Sequence, residues 1–163
     1  MKQLIISILF LSFILGTPKI SDIRASFIDA SDSKDAVFLL QDKLKDVRKS
    51  SNKTLVAYKG AASTMAAKYN KGIESKKKNF KNGATLIEYA VEQAPNNIEI
   101  RFVRLIIQQN TPKFLKYKKN IEEDKTFILE HFSEIKSSQL IDFIGNYIAA
   151  SELFSEEEKN SLK

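Results

Sequence analysis

The sequence predicts an all-α fold, and three features of its 163 residues support that prediction. Apolar residues recur at intervals of three and four along most of the chain, as they do on the buried face of a helix. Ser, Thr or Asn stands before several of these apolar runs, where helices take their N-caps. Five glycines and three prolines are too few for the many turns of a sandwich or barrel. We therefore expect antiparallel helix pairs, stacked as a right-handed array or packed as an irregular bundle.

Length and composition predict one globular domain. The hydrophobic share is 43% and the charged share 28%, which is ordinary for a folded protein. A chain of this length can build one sizeable core and is too short for two well-sized domains. We assign residues 17–163 to this domain and residues 1–16 to a segment that precedes it.

Residues 1–16 have the pattern of a signal peptide. Lys2 precedes an apolar run over residues 4–15, and Gly16 follows it. A run of about 12 residues suits a signal-peptide core and is short of the roughly 17–20 needed to cross a bilayer. We expect export to the periplasm or the medium, with membrane contact only through this segment before its cleavage. The alternative is a buried N-terminal helix. The chain has no cysteine, so the exported fold would have neither a lipoprotein anchor nor a disulfide.

Three helices are expected before residue 70. Ser21 begins a short amphipathic segment, and Ser33 caps a longer helix that runs to about residue 49. The third helix covers residues 54–70, and its many alanines should let a neighbouring helix approach closely. Residues 70–83 are polar, and two interpretations stay open for them: a solvated loop or frayed helix start, or a loop that binds an anionic partner. The lysines concerned are Lys76, Lys77, Lys78 and Lys81.

The middle of the chain has the most informative pattern. A helix over residues 82–94 should end at Pro95, and Asn97 should cap the next helix, residues 98–109. That helix is apolar nearly all round, so it must be covered on several sides and should lie in the middle of the stack. Glu99 stands apart, and the other polar residues form one narrow strip that we expect to be uncovered: Arg101, Arg104 and Gln108.

Further helix starts are expected after residue 110. Thr111 and Pro112 have the N-cap and first-turn chemistry of a helix start. Residues 120–132 then show helical spacing, and Ser138 should cap a helix that runs through residue 148. A short last helix is indicated by the capping-box spacing of Ser155 and Glu158.

Residues 54–110 resemble one tetratricopeptide unit and the start of the next. The residues that match are the helix-B alanine Ala90, the terminal proline Pro95, the turn Asn96-Asn97, the large apolar Ile87 and the small Gly83. The helix starts at residues 54 and 97 are 43 apart, longer than the family period of about 34, and the lysine-rich segment accounts for the difference. The resemblance implies a repeat scaffold that binds a protein or peptide.

The sequence offers no catalytic constellation. His131 is the one histidine, and without cysteine the usual zinc ligand sets are excluded. Phosphate-binding glycine loops and nucleophile elbows are absent. The acidic runs at residues 122–124 and 156–158 suit the first turns of helices, where the dipole favours them. We expect neither an enzyme nor a cofactor or metal.

The charge of +6 does not predict a nucleic-acid partner. Only four of the 26 basic residues are arginines, the side chain best suited to base and phosphate recognition. We expect instead an exported adaptor that binds a protein or peptide through Arg101, Arg104 and Gln108. The alternatives are a helical domain that holds an apolar ligand between its helices, and a hydrolase acting through acidic residues.

Overall fold

The predicted all-α class is confirmed in the computed structural model, which describes residues 17–31 and 33–162. These residues form eight α-helices and no β-strand. The helices are α1 (Ile20–Asp29), α2 (Lys34–Lys43), α3 (Lys53–Ala67), α4 (Ile73–Gln93), α5 (Ile98–Gln109), α6 (Ile121–His131), α7 (Ser138–Ala150) and α8 (Glu156–Asn160). The segment expected to be a signal peptide, residues 1–16, lies outside the described residues.

Three of the predicted helix caps are confirmed. The side chains of Ser33 and Asn97 accept hydrogen bonds from the first turns of α2 and α5, and Ser155 forms the predicted capping box with Glu158. At α7 the cap is Ser137 rather than Ser138. The predicted helix start at Thr111 is wrong, because the Thr111 hydroxyl donates to the carbonyl oxygen of Ile107 and a short 3-10 turn, Lys113–Leu115, follows.

Helices α3 and α4 form a close antiparallel pair. Gly60 of α3 faces Gly83 and Ile87 of α4, and Gly83 also faces Thr64. A Cβ atom added to Gly60 would lie 2.6 Å from the carbonyl oxygen of Gly83. The two backbones therefore touch, as the small residues of α3 predict.

The loop predicted over residues 70–83 is helical from Ile73 onward, so that prediction is wrong. The turn after α3 is short and is made by Gly72, whose φ of 81° is one that glycine adopts without strain. Lysine is a good helix former, and the Phe80 ring packs edge-on against Tyr117 with centroids 5.7 Å apart. The four lysines at 76, 77, 78 and 81 are therefore exposed along the first half of α4.

Helix α5 lies between two apolar cores, which confirms its predicted central position. Ile100 and Val103 belong to a core that α5 shares with α1–α4. Phe102 and Leu105, on its other side, belong to a second core with α6, α7 and the segment before α8. All four side chains are fully buried. A helix that is apolar on opposite sides thus joins the two halves of the domain.

Candidate functional site

The predicted partner-binding strip on α5 is covered by α6, so the expectation that it is exposed is wrong. Arg104 is 3% exposed and Gln108 is fully buried. The guanidinium of Arg104 donates two hydrogen bonds to Asp124, from Nε at 2.6 Å and from Nη2 at 2.7 Å. Gln108 in turn accepts from the backbone N–H of Asn120. The polar groups of Arg104 and Gln108 are therefore hydrogen-bonded to other residues of the fold.

Further polar groups join this cluster across three helices. Arg101 donates to Glu123 at 2.6 Å, and Arg104 also donates to Glu88 of α4 at 3.0 Å. The Tyr117 hydroxyl donates to the same Glu88 carboxylate at 2.7 Å, and burial raises the pKa of Tyr117. Burial disfavours the charged Arg104, yet its bonds to the carboxylates raise the pKa of that guanidinium. The cluster ties α4, α5 and α6 together.

A second buried cluster explains why Glu99 stands apart in the sequence. Arg24 of α1 donates two hydrogen bonds of 3.0 Å to Glu99, and the Tyr58 hydroxyl of α3 donates a third of 2.8 Å. Burial, together with the Glu99 carboxylate, raises the pKa of Tyr58. Each polar group is satisfied by its neighbours, so this cluster is structural and offers no site for a ligand.

The candidate site is an apolar groove of about 1050 Å³, at the upper end of the size range of ligand sites. It lies among α1, the end of α3, the start of α4, the end of α5, the 3-10 turn and α7. Its apolar wall is formed by Phe27, Ile28, Met65, Ala67, Ile73, Phe80, Ile106, Ile107, Pro112, Phe114, Leu115, Phe143 and Tyr147. We call this site the groove.

The uncharged polar residues of the groove already donate hydrogen bonds to their own backbone. The Ser31 and Thr64 hydroxyls donate to carbonyl oxygens of Ile28 and Ala61, at 2.8 and 2.7 Å. The others do the same within α5 and just after it: Asn110 to Ile106 at 2.9 Å and Thr111 to Ile107 at 2.6 Å. The wall therefore has little to offer a polar ligand group and behaves as an apolar surface.

The charged residues that line the groove are all lysines. They are Lys68 at the end of α3 and Lys76 and Lys77 in the first turns of α4. Glu74 lies nearby and contacts Lys77 at 3.6 Å, but it does not line the groove. Two of the four lysines predicted as an anionic-partner site thus border the groove, whereas Lys78 and Lys81 lie outside its lining. No pattern in the sequence links these lysines to apolar residues from five other segments.

A shallower depression of about 420 Å³ lies over α6. Its charged residues are Arg101, Glu122, Glu123 and Glu130. Arg101 is already bound to Glu123, and its guanidinium stacks on the Phe127 ring at 4.4 Å. This depression is an open surface around a satisfied ion pair, and we do not assign it a ligand.

His131 has a packing role in the structure. Its ring stacks on Phe127 with centroids 4.1 Å apart, and its Nδ1 atom lies 2.9 Å from the Phe127 carbonyl oxygen. Within residues 17–31 and 33–162, no group of three His, Asp or Glu side chains is placed to hold a metal ion. Over the same residues, no helix has the length and apolar character needed to span a bilayer.

Comparisons with known proteins give no match: no family model, curated protein or solved structure is similar to this chain. The resemblance to tetratricopeptide repeats therefore stays a prediction. What the structure does show is the antiparallel pair of α3 and α4, and the pairing of α5 with α6 through the arginine cluster.

Proposed function

We propose that this chain is a binding protein without catalytic activity that holds a single-chain anionic amphiphile, of the long-chain fatty-acid type, in the groove. One observation carries the proposal: the groove is large and apolar, and its charged lining residues are lysines alone. An alkyl tail would lie along the wall and an anionic head would lie at the lysines.

The wall favours an alkyl tail over a peptide. A bound peptide brings backbone N–H and C=O groups that need partners when water is removed. The Ser31, Thr64 and Thr111 hydroxyls and one N–H of Asn110 already donate to their own backbone, so the carbonyl groups of a bound peptide would find few donors in the wall. An alkyl chain needs none and gains about 0.8 kcal/mol for each buried CH₂. The protein or peptide partner expected from the sequence stays a prediction, without the arginine strip as its surface.

Fatty acids of different chain length test whether the groove buries the alkyl tail. Isothermal titration calorimetry with octanoate and dodecanoate should show tighter binding of the longer acid, because four more CH₂ groups are buried. At about 0.8 kcal/mol each, the dissociation constant should fall by roughly two orders of magnitude. Equal affinity for the two acids, or no binding of either, would contradict the proposal.

A matched pair of variants tests whether the ligand binds in the groove. Ile28 lines the groove and is 49% exposed, whereas Leu39 on α2 does not line it and is 56% exposed. Ile28→Glu puts a negative charge in the apolar wall and should weaken dodecanoate binding by about tenfold or more, since an unpaired charge there is costly and repels the head group. Leu39→Glu should leave the affinity unchanged. Equal effects would move the binding site elsewhere.

A further inference from the structure

We propose that the mouth of the groove docks on the surface of a bilayer that contains anionic lipids. The inference deepens the proposed function, on which it rests, by naming the bilayer as the source of the amphiphile. It also differs from the sequence-based expectation, which limits membrane contact to residues 1–16.

The mouth of the groove is defined by two large apolar side chains that line the groove and are exposed to solvent. Ile73 begins α4 and is 69% exposed, and Phe114 lies in the 3-10 turn and is 72% exposed. Both also line the groove. They are the most exposed large apolar side chains among the described residues, and keeping them in water is unfavourable. Side chains in this arrangement can insert at the boundary between lipid head groups and acyl chains.

Lysines accompany these two side chains. Lys76 and Lys77 follow Ile73 on α4, and Lys68 at the end of α3 also lines the groove. Lys113 and Lys116 flank Phe114 in the chain and are exposed. Glu74, which is 91% exposed beside Lys77, offsets one of these charges and leaves the mouth positive. Each lysine near an anionic bilayer adds to the electrostatic attraction.

The basic residues of the mouth suit a lipid surface better than a protein partner. All of them are lysines, which act as compact point charges and do not impose the fixed bidentate geometry of arginine. A fluid layer of head groups presents diffuse negative charge and no fixed hydrogen-bonding pattern. Exposed apolar residues accompanied by lysines are complementary to such a layer, and the groove would then open toward the acyl chains.

Tryptophan fluorescence can locate the contact, because the chain has no tryptophan of its own. Phe114→Trp places a reporter at the mouth, and Phe38→Trp places a matched one on α2, where Phe38 is 42% exposed and does not line the groove. Both are made in the full chain, so any contribution of residues 1–16 is the same. The probes are vesicles of phosphatidylcholine alone and of phosphatidylcholine with 30% phosphatidylglycerol.

We expect the Phe114→Trp emission to shift to the blue with the anionic vesicles and to be quenched by brominated acyl chains. With phosphatidylcholine alone, the same response should need at least tenfold more lipid. Phe38→Trp should respond to neither. Adding Lys76→Glu and Lys77→Glu to Phe114→Trp should abolish the response. An equal response of the two reporters, no response at the mouth, or no dependence on anionic lipid would overturn the docking proposal.

The two proposals fail separately. If dodecanoate binds in lipid-free solution while the Phe114→Trp emission does not respond to vesicles, the docking proposal is wrong and the proposed ligand of the groove stands. If the reporter inserts into anionic vesicles while calorimetry shows no fatty-acid binding, the bilayer surface is right and the ligand is wrong.

Discussion

The ion pair of Arg104 with Asp124 changes the interpretation of one strip of α5, from an exposed binding surface to a buried contact with α6. The spacing of Arg101, Arg104 and Gln108 correctly places them on one strip of α5. A helical projection does not show what the next helix carries, and here α6 brings a buried carboxylate to that strip. Asp124 lies in the first turn of α6, where an acidic residue is expected anyway, so its role could not be recognised from the sequence.

The first prediction concerns this pair. Arg104→Ala should lower the free energy of unfolding by about 3–5 kcal/mol, because it removes two of the three hydrogen bonds that the buried Asp124 carboxylate accepts and leaves only the one from Arg101. Urea denaturation measures the loss. The control is Lys45→Ala, since the Lys45–Asp42 pair is exposed on both sides, and its urea midpoint should not move. Equal midpoints for the two variants would contradict a structural role for Arg104.

At the scale of the element, two glycines determine how closely α3 and α4 approach each other. Gly60 and Gly83 let the two backbones touch, and the sequence had indicated this through the alanines of α3. The bounds of α5 were predicted correctly because Pro95 and Asn97 mark its start and the dense apolar spacing stops near its end. The start of α4 was missed because its first half is exposed on nearly all sides, and its apolar residues are too few to show helical spacing.

The second prediction compares two helical glycines. Gly83→Ala should lower the free energy of unfolding by about 1–3 kcal/mol, because its Cβ would lie 2.6 Å from the Gly60 carbonyl oxygen and the helices would have to separate. At Gly145 the nearest atom to an added Cβ is a Phe132 ring carbon at 3.6 Å, an ordinary contact. Gly145→Ala should therefore be neutral or stabilising, by up to about 1 kcal/mol of helix propensity. Thermal and urea denaturation give both values, and a stable Gly83→Ala variant would reject the close contact.

At the scale of the molecule, α5 makes one cooperative unit out of two cores. Ile100 belongs to the core with α1–α4, and Ile144 of α7 belongs to the core with α5 and α6. Both are fully buried. Because α5 contributes to each core, neither half can lose its packing without exposing α5 to water. The central position of α5 was predictable from its sequence, which is apolar on opposite faces.

The third prediction is that either core, when weakened, destabilises the whole domain. Ile100→Ala and Ile144→Ala should each lower the free energy of unfolding by about 2–5 kcal/mol. Far-ultraviolet circular dichroism and the combined near-ultraviolet signal of the tyrosines, which include Tyr58 and Tyr147 in or near the two cores, should give coincident transitions in both variants. Two-step or non-coincident transitions would show that the halves unfold independently.

The groove is formed by residues from many segments of the chain, and for that reason it could not be predicted from the sequence. Its residues come from the ends of elements that are far apart in the chain, such as Phe27, Phe80 and Phe143. Each is unremarkable within its own segment. Their assembly depends on the angles between helices, which periodicity does not give. The signals that could have been used are Ile73 and Phe114, two large apolar residues within lysine-rich segments.

The most direct test of the groove as a binding site uses Met65, which lines it and is half-buried. The chain has two methionines, so carbon-13 labelling of their methyl groups gives a simple spectrum, in which Met65→Leu identifies the Met65 signal. Titration with dodecanoate should shift that signal and reach saturation, whereas acetate, which has the carboxylate without the tail, should leave it in place. A Met65 signal that stays unchanged at dodecanoate concentrations that saturate the calorimetric titration would contradict binding in the groove.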